Sequence, residues 1–133
     1  MKKQRWSIYM AIFLTLTLLL SGCASKASQV TTIAGGTRGF ADGKGDAAQF
    51  DTPDSVAVGA DGTLYVADFS NHRIRKIIQD GTVTTLDGSG QPGDVDGPAG
   101  EAQFRLPQAL AVDGKGVVYV ADTGNNAIRK ITP

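Results

Sequence analysis

Two kinds of hydrophobic pattern divide this chain. Residues 8–20 form an apolar run of 13 positions, interrupted only by Thr15 and Thr17 and preceded by Lys2, Lys3 and Arg5. That length matches the apolar core of an export signal and falls short of a membrane-spanning helix. The three cations ahead of it suit the end that stays in the cytoplasm. From residue 30 onward the run gives way to short segments in which apolar and polar positions alternate, the period of a strand. In the first half these fall at 30–33, 55–58, 63–67 and 73–78, separated by the turn signals Gly59-Ala60-Asp61-Gly62 and Gln79-Asp80-Gly81. No segment keeps a helical period over eleven residues, which removes the α/β classes.

The alternating part repeats itself. Phe50-Asp51-Thr52-Pro53, Val56-Ala57-Val58, Leu64-Tyr65-Val66-Ala67-Asp68, Asn71 and Ile74-Arg75-Lys76-Ile77 recur 54 residues later as Phe104-Arg105-Leu106-Pro107, Leu110-Ala111-Val112, Val118-Tyr119-Val120-Ala121-Asp122, Asn125 and Ile128-Arg129-Lys130-Ile131. Val30-Thr31-Thr32-Ile33 recurs as Val83-Thr84-Thr85-Leu86 at a spacing of 53, and Asp42-Gly43 as Asp96-Gly97 at 54. Four short antiparallel strands per unit, joined by glycine-rich turns, describe one propeller blade; an open β-meander is the other architecture such strands permit. The predicted fold class is therefore all-β, with two four-stranded β-propeller blades. The predicted organisation is a leader over 1–22, a linker over 23–29, and repeats over about 30–82 and 83–133.

The recurring pattern Pro-x-x-hydrophobic-Ala-Val, then hydrophobic-Tyr-Val-Ala-Asp-x-x-Asn-x-x-Ile-Arg-Lys, resembles the NHL repeat. The resemblance covers residues 30–133 and implies a propeller, most often six-bladed, of a kind that commonly serves as an interaction platform. Similar propellers also include lactonases and lyases with a metal in the central channel. Such sites draw carboxylates, Asn or His from several different blades, whereas this chain supplies two near-identical ones, so a binding module is expected over an enzyme. Two blades leave two faces open, with Val56, Val58, Leu110 and Val112 poorly covered. The ring would be completed by blades of a longer chain or by self-association, three copies giving six blades with 30–33 of one copy paired to 127–131 of the next.

At the end of the apolar run, Leu20-Ser21-Gly22-Cys23 resembles the lipobox of bacterial lipoproteins, in which the cysteine receives diacylglycerol before cleavage. The resemblance implies an exported protein held by its acyl chains on a membrane, facing away from the cytoplasm. Cys23 is the one cysteine, so no intramolecular disulfide forms. After cleavage, 111 residues carry 10 Lys+Arg against 13 Asp+Glu, a net charge of −3 that argues against nucleic acid as a partner.

Few residues offer chemistry. Asp68 and Asp122, each with an Asn three positions on (Asn71, Asn125), would either point carboxylates at a shared ligand or end a strand and accept backbone N–H groups. Recurrence in each unit favours the structural role, as for Tyr65 and Tyr119. Arg75-Lys76 and Arg129-Lys130 are expected at solvated strand edges, or else as a basic ring attracting anionic ligands such as cell-wall polymers. Asp94-x-Asp96-Gly97 is similar to the start of a calcium loop but lacks the later oxygen ligands and flanking helices, so no cofactor is expected and Ca²⁺ stands as the weak alternative. His72 is the single histidine, too few for a zinc cluster or for a credible Ser-His-Asp set.

Overall fold

The computed structural model describes residues 27–133, of which 32–133 gather into one compact unit. Three two-residue strands come first: β1 (Thr37–Arg38), β2 (Gly43–Lys44) and β3 (Gln49–Phe50). The first blade follows as β4 (Pro53–Val58), β5 (Leu64–Asp68), β6 (Arg73–Ile77) and β7 (Thr82–Asp87). The second contains β8 (Pro107–Val112), β9 (Val118–Asp122) and β10 (Ala127–Ile131). Within each blade the strands pair as antiparallel neighbours in chain order, β7-β6-β5-β4 and β10-β9-β8, while β2 adds antiparallel to β7 and β1 pairs parallel with β3.

Each hairpin closes on turn chemistry visible in the sequence. Between β4 and β5, Gly62 takes a left-handed φ of 81° that a side chain would resist. Asp61 accepts the Thr63 N–H at 3.0 Å and the Thr63 hydroxyl at 2.9 Å. Between β6 and β7 the same work falls to Gly81 and to Asp80, which accepts the Thr82 N–H at 2.9 Å.

One expected strand is absent. Residues 30–33 form no strand, and Val30 and Ile33 are exposed. Its repeat mate 83–86 is a strand because β6 stands beside it, with Val83 opposite Ile77. Among the described residues no such neighbour stands beside 30–33. The four strands of the first blade thus run from 53 to 87 and cross the division between the two sequence units.

Alternation sorts each strand onto two faces. On the first sheet, Tyr65, Ala67 and Ile74 face the second blade and bury with Phe104, Val118 and Val120, flanked by Leu110, Val112 and Ile131. The opposite face carries Val66, Ile77 and Val83, covered toward the outer strands by Ala48 and Phe50 of the segment before β4. Toward the inner strand that cover stops, leaving Val56 and Val58 exposed. On the second sheet the outward face leaves Tyr119 and Ile128 exposed.

Candidate functional site

The residues with the most chemistry form a lock inside each blade. In the first, β5 ends at Asp68, and a 3-10 turn over Phe69–Asn71 returns the chain to β6. The Asp68 carboxylate accepts three hydrogen bonds: from the Asp51 N–H at 2.9 Å, from Asn71 Nδ2 at 2.9 Å and from Arg75 Nη1 at 2.7 Å. Asn71 Nδ2 also donates to the Gly39 carbonyl at 2.8 Å. Arg75 extends the lock outward, donating to the carbonyls of Gln49 (3.0 Å) and Ala41 (2.8 Å) and to Asp42 (2.7 Å). The rings of Phe40 and Phe50 flank its guanidinium at 4.8 and 5.0 Å. A two-strand hairpin is thereby tied to the whole of the segment from 39 to 51.

The second blade repeats the arrangement. Asp122 accepts from the Arg105 N–H (2.7 Å), Asn125 Nδ2 (2.8 Å) and Arg129 Nη1 (3.1 Å). Asn125 reaches the Gly93 carbonyl and Arg129 those of Gln103 and Val95. Arg129 also pairs with Asp94 and Asp96. The second lock is the looser one. Arg75 and Asp68 are wholly buried, whereas the Arg129 side chain is 11% exposed and Asp96 is 94% exposed. In the first blade the mate of Asp96, Asp42, also accepts the Thr85 N–H and hydroxyl from β7, at 3.2 Å each.

These positions correct one sequence expectation. Arg75 is no solvated strand-edge residue: the segment before β4 folds across its face of the sheet and encloses it. A buried guanidinium needs both a counter-charge and filled donors. Asp68 and Asp42 supply the first, and four oxygen contacts fill most of the second, leaving only Nε unmatched. Lys76 and Lys130 alternate onto the other face, Lys76 lining a cleft of about 280 Å³ with Tyr65 and Lys115. Asp94 and Asp96 turn toward Arg129 rather than toward each other's ligand space. Among the described residues no group of three His, Cys, Asp or Glu side chains is placed to hold a metal ion. Cys23 and the lipobox residues Leu20, Ser21 and Gly22 lie outside the described residues.

His72 and Arg73, not singled out from the sequence as site residues, join the blades. His72 Nδ1 accepts the Leu106 N–H at 3.1 Å, and Arg73 Nη2 donates to the Ser89 carbonyl at 2.7 Å. Burial, helped by the nearby Arg105 and Arg73 cations and opposed by Asp122, lowers the His72 pKa below its usual value. The signal for Asp42 lay in its match to Asp96 at the repeat spacing; nothing local marked His72, whose mate is Asn126.

Antiparallel sheets stacked face to face, each strapped by the same Asp–Asn–Arg lock, define β-propeller blades in an incomplete ring. Within that class, residues 50–77 and 104–131 match the NHL repeat, and this is an NHL-repeat protein of propeller fold. It is 38% identical over 91 residues to protein SUPPRESSOR OF QUENCHING 1, chloroplastic, of Arabidopsis thaliana, a match covering 68% of this chain and 9% of that protein. It is 40% identical over 80 residues to NHL repeat-containing protein 2 of Gallus gallus, covering 59% and 11%. Among solved structures, an auxiliary nutrient binding protein from Bacteroides thetaiotaomicron superposes with a TM-score of 0.65 at 29% identity, over 74% of this chain and 27% of that one. The chain thus spans about a tenth of these curated relatives and about a quarter of that structure.

Proposed function

We propose that this chain is an exported, lipid-anchored NHL-repeat module that binds a macromolecular partner outside the cytoplasm. The observation that carries the reading is the fate of the repeated polar residues. Asp68, Asn71 and Arg75, with Asp122, Asn125 and Arg129, are engaged in internal hydrogen bonds that hold the blades. The outward strand faces of the two blades expose Val56, Val58, Tyr119 and Ile128, a character that suits contact with polypeptide. The Bacteroides structure it resembles is described as an auxiliary nutrient binding protein, which supports a binding rather than a reacting role. The lipobox-like Leu20-Ser21-Gly22-Cys23 behind a signal-like core supports the anchor.

Intact-mass analysis of the protein extracted from membranes tests the anchor. The expected species begins at Cys23 and carries acyl chains, and Cys23→Ala moves the protein out of the membrane fraction. A protein with a free Cys23 thiol that fractionates with soluble proteins contradicts the reading. For the binding role, exchange of Tyr119 and Ile128 for Ser is expected to abolish cross-linking to any other polypeptide chain in cells, a second copy of this one included, while leaving the far-UV CD spectrum unchanged. Undiminished cross-linking contradicts it.

A further inference from the structure

The two outward faces match each other. We propose that copies of this chain dock head to tail, the outward face of β8–β10 in one copy seating on the outward face of β4–β7 in the next. In this arrangement residues 30–33 of the second copy add to β10 of the first as its fourth strand.

The internal contact between the two blades is the template. Ile74, fully buried there, has Ile128 as its mate, 75% exposed on the outward face of the second blade. On the other side of the same contact Leu110 and Val112 pack into the core, and their mates Val56 and Val58 are 61% and 63% exposed on the outward face of the first blade. Each end of the molecule therefore presents the half of the interface that the opposite end lacks. Such a heterologous contact repeats until it closes. If it reproduces the internal geometry, three copies supply six blades.

The strand edges and turns agree. In the first blade Val83, Thr84 and Thr85 of β7 stand opposite Ile77, Lys76 and Arg75. In the second, the outer edge of β10 has no neighbour among the described residues, and an unpaired edge is a template for strand addition. Val30-Thr31-Thr32-Ile33 repeats the sequence of Val83-Thr84-Thr85-Leu86, lies exposed, and belongs to no sheet. By the internal register, Thr31 falls opposite Lys130 and Thr32 opposite Arg129, where its N–H and hydroxyl meet the exposed Asp96 as those of Thr85 meet Asp42. At the turn, Asn126 is the mate of His72 and Thr52 that of Leu106, with φ of 54° at all four positions. Asn126 Oδ1 of one copy thus falls where it accepts the Thr52 N–H of the next, as His72 Nδ1 accepts that of Leu106.

The test is disulfide trapping in the full chain, produced with its leader and kept in its membranes. Residues directly opposite on antiparallel strands come close enough to bridge. Oxidation of the double variant Thr31→Cys, Lys130→Cys is expected to give linked species that stop at three times the mass of one copy. The single variants set the background from Cys23. Pairing Thr31→Cys with Lys76→Cys is expected to give none, because that edge is already occupied by β7. Equal trapping at Lys76 and Lys130, or none at either, overturns the proposal. As a second measurement, Ile128→Glu in the detergent-extracted chain is expected to reduce the mass by light scattering threefold with an unchanged far-UV CD spectrum. A wild-type chain already monomeric overturns self-association.

Discussion

The Asp68 carboxylate and the Arg75 guanidinium meet at 2.7 Å in a place that water does not reach. Removing one charge of such a pair leaves the other buried and unmatched, which costs about 3–5 kcal/mol. Asp68→Asn is therefore expected to lower the unfolding free energy by about that amount. Asp122→Asn should cost less, because Arg129 is partly solvated and keeps Asp94 and Asp96. Denaturant titration of the two variants checks the order; equal losses would show that burial does not distinguish the locks.

Ile74 and Ile128 occupy the same repeat position in opposite environments, one buried between blades and one mostly exposed. Truncating a buried Ile to Ala costs about 2–5 kcal/mol. Ile74→Ala is expected to destabilise in that range, while Ile128→Ala changes the unfolding of dilute, dissociated chains by at most about 0.5 kcal/mol. Thermal melts of the two variants at high dilution measure the contrast.

His72 couples blade docking to pH. Its folded-state pKa lies below the value of 6.5 for the unfolded chain, so the unfolded state takes up the proton first. The contribution is fully present above about pH 6.5 and is lost as the pH falls from there through the folded pKa. Protonated Nδ1 also ceases to accept the Leu106 N–H. Unfolding midpoints measured in steps from pH 7.5 to 5 should decline for this reason, and His72→Asn should flatten that part of the profile. Asn suits both the left-handed backbone and the acceptor role, as Asn126 illustrates in the second blade.

Much of the blade was legible because strands announce themselves locally. Alternation, the turns at Asp61-Gly62 and Asp80-Gly81, and the spacing of 54 placed β4, β5 and β6 within two residues of their observed bounds. What failed depended on distant partners. Residues 30–33 read as a strand because their sequence matches that of β7, yet a strand needs a neighbour and they have none among the described residues. Arg75 read as solvated because alternation names the face a side chain takes but not what covers that face. Its cover comes from Asp42 and the Gln49 carbonyl, 33 and 26 residues away, in a segment with little regular structure of its own. The lock was half visible: Asp68 and Asn71 were read together, while the arginine that joins them was assigned to the surface.

A double-mutant cycle on Asp68 and Arg75 tests most directly whether the repeated polar residues hold the blade. Unfolding free energies of Asp68→Asn, Arg75→Gln and the double variant give the coupling without the contributions of other contacts. A lock predicts that the double variant is more stable than the sum of the single losses allows, by about 2–3 kcal/mol. Single losses within about 0.5 kcal/mol that simply add would contradict it, and would return both residues to the solvated surface where ligands could reach them.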